Sequence, residues 1–129
     1  MVRFFGKLFP SLITKNFHSQ FSKKQIKGRF NTKDTQELIE MLNHLRSGDG
    51  FLNDLNQSIE DSLLKKIECP TLVIHSKNDN SVSFDHALHA KKMIKNVTLE
   101  TIDNDWGHLI WLGEDSKMTC EKMIKFLQE

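Results

Sequence analysis

The sequence lacks the features that mark several classes of protein. No apolar run among its 129 residues approaches the ~18 residues that a transmembrane helix needs, so we expect no transmembrane segment. There are only two cysteines, Cys69 and Cys120, and their separation of 51 positions matches no metal-binding or redox motif. We therefore expect both thiols to be reduced and buried, as in a cytoplasmic protein.

Acidic residues are missing from the first 33 positions, which carry eight basic residues and a charge of +8. The other 96 residues hold the remaining 10 basic residues and all 17 acidic ones, a net charge of −7. A basic arm can bind nucleic acid or anionic lipid. We favour a solvated surface whose acidic partners lie elsewhere in the fold, so no nucleic-acid partner is expected. The basic residues are Arg3, Lys7, Lys15, Lys23, Lys24, Lys27, Arg29 and Lys33.

Metal-binding patterns are also missing. His86 and His89 have i, i+3 spacing, but no HExxH or Cys/His pattern accompanies them. We predict neither a metal nor a cofactor. The chain is long enough for one domain with a buried core, and its 38% hydrophobic content is unlike that of a disordered protein.

The front half of the chain shows helical periodicity. Apolar residues fall on one helical face around Pro10: Phe5, Leu8, Phe9, Leu12 and Ile13. Residues 14–33 show no clear period. A second helix is predicted to start with a cap at Asp34–Glu37 and to stop at Gly48. Its apolar positions are Leu38, Met41, Leu42 and Leu45. A third helix is indicated by Leu52, Leu55, Ile59 and Leu63.

The back half alternates strands and helices. The continuous apolar run Thr71–His75 predicts a strand buried on both faces, and Val97–Ile102 predicts a second strand. Ser83 is predicted to cap a helix reaching about Ile94, and a terminal helix should begin at Asp115 or Ser116. The inward positions should be Phe84, Ala87, Leu88 and Ile94 in the first helix and Cys120, Met123, Ile124 and Leu127 in the second.

A strand, a helix and a second strand with short connections predict a right-handed βαβ unit with parallel strands. Two parallel strands do not make a stable sheet alone, and the front half offers no others. Either the helices cover a small sheet, or the chain is the latter part of a larger one. We favour the second interpretation.

Two polar residues follow these strands. Asp79 lies four residues beyond His75, and His108 lies six residues beyond Ile102. The crossover should place both loops at the carboxyl edge of the sheet, where ligands bind. There, an acid can accept the Nδ1 proton of a histidine and leave Nε2 free to deprotonate a hydroxyl nucleophile.

Both segments resemble those of α/β-hydrolases. Cys69–Val82 is similar to the family's seventh-strand segment, whose "cPtLvihGxxDxxVp" pattern contains the catalytic acid. Asp105–His108 is similar to the family's "gxGH" loop, which carries the catalytic histidine. The resemblance implies that Asp79 and His108 are catalytic. It further implies an incomplete α/β fold: a helical lid at 1–66, followed at 67–129 by the last two parallel strands and the helices of the hydrolase sheet.

The resemblance is to esterases and monoacylglycerol lipases, and it implies hydrolysis of a small-molecule ester without a cofactor. The family's nucleophile sits in Gly-x-Ser-x-Gly, and none of the six glycines here belongs to such a motif. Ser76 and Ser81 lie in the loop that carries Asp79, here called the acid loop, and not at a strand-to-helix turn where a nucleophile would sit. Cys69 lies at the amino end of its strand, whereas catalytic residues lie at the carboxyl end. We therefore expect the isolated chain to be inactive. The serine is either supplied by an upstream segment or a complementing N-terminal polypeptide, or it has been lost.

Several alternatives remain open at this stage. Asp79 could serve only as a turn residue, and Asp103 or Asp105 could replace it as the acid. Trp106 and Trp111 are expected to pack rather than to bind substrate. The whole chain could instead be a non-catalytic binding module, or a basic protein of the membrane surface.

Overall fold

The computed structural model describes residues 9–26, 30–44, 50, 52–53 and 57–128. The front half contains helices α1 (Pro10–Phe21), α2 (Thr32–His44) and α3 (Asp61–Leu64). The back half contains strand β1 (Thr71–Ser76), helix α4 (Phe84–Met93), strand β2 (Val97–Ile102) and helix α5 (Ser116–Gln128). This mixture of helices with a small parallel sheet is consistent with part of an α/β fold.

The two strands pair in parallel, as the sequence predicts, with Thr71 opposite Val97 and Ser76 opposite Ile102. The crossover between them is α4, whose first turn is capped by the Ser83 hydroxyl accepting a hydrogen bond from the Asp85 N–H. Both connections leaving the carboxyl ends of the strands therefore start at the same edge of the sheet. That edge carries the residues predicted to perform chemistry.

Helix α1 extends further than the sequence pattern indicates. Pro10 occupies its first turn, where the missing N–H costs nothing. The buried face continues through Thr14 and His18, which are polar, so the apolar stripe is interrupted and its period hidden. The Thr14 hydroxyl bonds the Pro10 carbonyl oxygen at 2.9 Å, which satisfies it inside the core. The part of the predicted helix before residue 9 lies outside the described residues.

Helix α2 begins two residues before the predicted cap. The Asn31 side chain accepts the Lys33 N–H at 2.9 Å and serves as the cap, while Asp34 lies within the first turn. The predicted stop at Gly48 lies outside the described residues. The third predicted helix is wrong as a continuous element, because residues 57–60 are not helical and Ile59 is 72% exposed.

The main core joins the front helices to the loop that follows β2. Leu38 of α2 is fully buried with three residues of that loop, Trp106, Leu109 and Leu112. Partly buried hydrophobic residues pack around them: Phe17, Phe21, Phe30, Met41 and Leu42. The Trp106 indole N–H donates to Asp34 at 3.2 Å, so the buried ring has a partner for its polar atom. The expected packing role of Trp106 is confirmed, whereas Trp111 is exposed.

Several residues predicted to be buried are exposed. Both cysteines are free, but Cys69 and Cys120 lie on the surface, so their predicted burial is wrong. Leu88 of α4 is exposed, because only one side of this helix faces the sheet. The apolar stripe of α5 is also exposed, because within the described residues no second layer covers it: Met123, Ile124 and Leu127. No helix in the described part of the chain is long and apolar enough to cross a bilayer.

Candidate active site

Asp79 sits in a tight turn directly after β1. The Lys77 N–H bonds the Ile102 carbonyl oxygen at 2.9 Å and extends the strand pairing, and the Asp79 N–H then turns back to the Ser76 carbonyl oxygen at 3.3 Å. This turn places the Asp79 side chain inside the protein with only 4% of the residue exposed. Its carboxylate is therefore removed from water and depends on neighbouring donors.

Three donors satisfy that carboxylate. Oδ1 accepts the N–H groups of Ser81 and Val82, each at 2.8 Å. Oδ2 lies 2.8 Å from Nδ1 of His108. Burial acts to raise the pKa of Asp79, but the Val82 N–H, the His108 ring and the Ser81 N–H outweigh it and hold the pKa below its ordinary value. Asp79 is thus a carboxylate at neutral pH, so Nδ1 of His108 must be the donor.

His108 is held by its own backbone as well. The preceding Gly107 has a φ of +56°, a conformation that favours glycine, and turns the chain so that the His108 N–H reaches the Phe21 carbonyl oxygen at 2.9 Å. The His108 side chain is 36% exposed. Its Nε2 makes no hydrogen bond within the described residues, so it is available to a reacting group.

The two loops are also bonded to one another. The Asn78 side-chain amide donates to Asp103 at 2.7 Å and to the Asn104 carbonyl oxygen at 2.9 Å. The buried Asn104 amide in turn donates to the Gly107 carbonyl oxygen at 3.1 Å. The sequence does not predict these contacts of Asn78 and Asn104. An amide side chain in each of two neighbouring loops was the only signal available.

Asp103 and Asp105, the alternative acids, face a lysine rather than His108. Lys24 lies 2.9 Å from Asp103 and 3.0 Å from Asp105. Hydrogen bonding to Lys24 and then to Asn78 lowers the pKa of Asp103, and the two acids, Asp103 first, raise the pKa of Lys24 despite its partial burial. A basic residue of the front half therefore does meet acidic partners in the back half.

A second histidine, His75 at the end of β1, approaches the same carboxylate. Nε2 of His75 is 3.7 Å from Oδ2 of Asp79, and this nitrogen is buried without a hydrogen-bond partner in the described structure. The His75 ring packs edge-on against Phe84 at 5.3 Å. No cluster of three or more metal-ligating groups is found among the described residues.

A cleft of about 180 Å³ opens beside the Asp79–His108 pair. Its remaining walls are largely apolar and include Ile74, Val82, Ile110 and Trp111. A larger cleft of about 810 Å³ lies around α1 and the segment after it, but neither Asp79 nor His108 lines it. We place the candidate site in the smaller cleft, because chemistry requires the reacting groups to face the bound molecule.

Neither serine of the acid loop is placed as a nucleophile. Ser76 is buried, and its oxygen accepts the Asn78 N–H at 3.0 Å. The Ser81 hydroxyl donates to the Gln20 carbonyl oxygen at 3.2 Å. Within the described residues, no serine hydroxyl forms a hydrogen bond with His108.

Comparison with known proteins gives one informative relative. The chain is 39% identical over 125 residues to a Bacillus subtilis (strain 168) protein named "Uncharacterized hydrolase YcgS". The match covers 93% of this chain and 44% of that protein, so the chain spans less than half the length of the relative. No family model matches the sequence, and no solved structure matches it.

Proposed function

We propose that this chain is part of a hydrolase of the α/β-hydrolase type, in which Asp79 and His108 handle the proton during cleavage of a carboxylic ester. The observation that carries the proposal is the 2.8 Å contact between the buried Asp79 carboxylate and Nδ1 of His108. The similarity to a Bacillus protein named a hydrolase supports the same class of reaction. The sequence resemblance to esterases supplies the choice of an ester as substrate.

The geometry suits His108 as a general base and then a general acid. Its Nδ1–H is directed at a carboxylate whose other oxygen is already saturated by two backbone N–H groups. Nε2 can accept the proton of a serine hydroxyl as its oxygen attacks the ester carbonyl carbon, and Asp79 stabilises the imidazolium that forms. His108 then returns the proton to the departing alkoxide. Water hydrolyses the acyl-serine by the same two proton transfers in the second half of the reaction.

The serine in this proposal comes from an N-terminal portion of the enzyme outside these 129 residues, on the same polypeptide or on a complementing one. Four observations support that source. No serine bonds to His108 within the described residues. Among the same residues, β1 and β2 each have one edge without a strand partner. Helix α5 exposes apolar side chains. The relative is also more than twice as long as the matched region, which is 44% of its length. Residues 1–66 act as a lid in this scheme, and the small cleft receives an apolar part of the substrate.

The test is an esterase assay with p-nitrophenyl butyrate on the 129-residue chain, alone and after co-expression with a polypeptide that bears the nucleophile. We expect no His108-dependent hydrolysis by the chain alone and hydrolysis by the pair. In the pair, His108→Ala should abolish turnover, and Asp79→Asn should lower it by roughly 10⁴-fold, as removal of the acid does in serine proteases.

His86→Ala is the matched control, since His86 is an exposed histidine of α4, and it should leave turnover unchanged. Full activity of the pair after His108→Ala would refute the role of His108. Hydrolysis by the chain alone that disappears with His108→Ala would refute the external nucleophile.

A further inference from the structure

The end of α1 and the residues after it form a strap, residues 18–24, across both loops of the candidate site. The Phe21 carbonyl oxygen accepts two hydrogen bonds, from the Asn80 N–H of the acid loop at 3.1 Å and from the His108 N–H at 2.9 Å. Next to it, Ser22 forms an antiparallel bridge with Asp79. The Lys23 N–H donates to the Asn78 carbonyl oxygen at 2.8 Å. One short segment therefore fixes the backbone of both loops.

The close approach of this strap depends on Gly107. A Cβ atom at that position would lie 2.3 Å from the Phe21 carbonyl oxygen and 2.7 Å from both the Asn78 carbonyl oxygen and the Ser22 Cα. All three are backbone atoms, so a side chain would force the strap and the loop apart. The residue before the candidate general base is thus the point where the strap touches it.

The side chain of Phe21 adds a second contact. Its ring stacks on the His108 imidazole, with centroids 6.0 Å apart and an interplanar angle of 18°. On the helix, Phe17 stacks on Phe21 at 6.1 Å and 21°, and both phenylalanines pack against the core around Leu38. Phe21 touches His108, whereas Phe17 is one ring further away.

We propose that Phe21 is a positioning residue for His108, with its carbonyl oxygen fixing the loop and its ring fixing the plane of the imidazole. Rotation of the imidazole out of this plane would break the Nδ1 contact with Asp79 and move Nε2 away from a reacting group. The stacked ring opposes that rotation. It also presents an aromatic face to the imidazolium that would form during proton transfer. This inference rests on the proposed function only in one respect, which is that Nε2 accepts the proton of the nucleophile.

The experiment measures the tautomer of His108 by nitrogen NMR on the labelled 129-residue chain, at a pH where the ring is neutral. In the parent, the proton should reside on Nδ1. Phe21→Leu should raise the ratio of the Nε2–H form to the Nδ1–H form roughly two- to tenfold, the scale of one aromatic contact. Phe17→Leu removes a ring from the same helix and core without touching His108, so it should leave the ratio at the parent value.

Two further variants keep the test decisive. Phe21→Tyr retains the ring and should keep the parent ratio, and Phe21→Met replaces the ring by a flexible side chain if the leucine variant does not fold. A parent ratio in the ring-less variants, or an equal change with Phe17→Leu, would overturn the proposal. Because the readout involves no turnover, its failure is separate from failure of the ester-hydrolysis proposal.

Discussion

The loops that carry Asp79 and His108 differ sharply from the terminal helix α5 in how they are packed. The loop after β2 places Trp106, Leu109 and Leu112 in the core, and each is at most 3% exposed. Helix α5 is regular secondary structure, yet its Leu127 is 80% exposed. In most proteins the loops are the less buried of the two kinds of structure.

Burial and hydrogen bonds in the described part of the chain are therefore concentrated in the two site loops, and not in α5. The site loops are bonded to one another through Asn78 and to the strap through the Phe21 carbonyl oxygen. Preorganisation of this kind is what a proton-transfer site needs, because small displacements of the groups are costly in rate. We therefore expect mutations in the loops to lower the free energy of unfolding more than mutations in α5 do.

The largest effect should come from Gly107→Ala. The new Cβ would meet backbone atoms at 2.3 Å and 2.7 Å, and alanine would be strained at a φ of +56°. We expect the free energy of unfolding to fall by about 3–5 kcal/mol in urea denaturation. Gly50→Ala is the control, because Gly50 is exposed with no atom within 4 Å of its Cβ position, and it should not destabilise the chain. Equal stability of the two variants would show that the strap does not constrain the loop.

Leu38→Ala paired with Leu127→Ala tests the difference in packing directly. Leu38 is fully buried against the loop after β2, so its truncation should cost about 3 kcal/mol of unfolding free energy through lost burial and a cavity. Leu127 is 80% exposed, so the same truncation should change stability by no more than about 0.5 kcal/mol. A comparable loss from both would mean that α5 is covered in solution, which an accompanying measurement of oligomeric state would identify.

The smallest of the three effects should be that of Asp79→Asn, and it should depend on pH. The folded-state pKa of Asp79 is below its ordinary value of 3.8, so ionised Asp79 stabilises the fold above that pH. This contribution is lost as the pH falls through the folded-state pKa. We expect Asp79→Asn to cost about 2 kcal/mol at pH 7 and to flatten the decline in stability below about pH 4.

The matched control for that titration is Asp61→Asn. Asp61 also bonds a histidine, His89, at 2.9 Å, but both side chains are exposed. Asp61→Asn should leave the free energy of unfolding and its dependence on pH unchanged, because an exposed ion pair contributes little to stability. If the two variants have the same stability profile between pH 2 and pH 7, burial of Asp79 has no energetic consequence.

The back half of the fold was predictable because its signals are local. Proline and turn-forming residues bound the apolar run of β1, Ser83 caps α4 as predicted, and Val97–Ile102 is observed with the predicted bounds. The parallel pairing then follows from the handedness of the crossover. That rule also explains why the sequence could predict contact between Asp79 and His108, although their catalytic role stays a prediction.

The front half was less predictable because its helices are fixed by tertiary contacts. The buried His18 of α1 bonds the Asp105 carbonyl oxygen at 2.9 Å, across most of the chain, so a polar residue occupies an inward position. The pattern of apolar residues cannot reveal such a contact. The same holds for Phe21, whose importance to the site comes from a loop far away in sequence.

One consequence follows from the double hydrogen bond to the Phe21 carbonyl oxygen. A main-chain oxygen is present whatever residue stands at position 21, so substitutions there leave both bonds available. Insertions and deletions behave differently, because adding or removing one residue between 18 and 24 would bring another carbonyl group opposite Gly107. The strap should therefore tolerate changes of residue type more readily than changes of length, and its spacing is the property to preserve in any redesign.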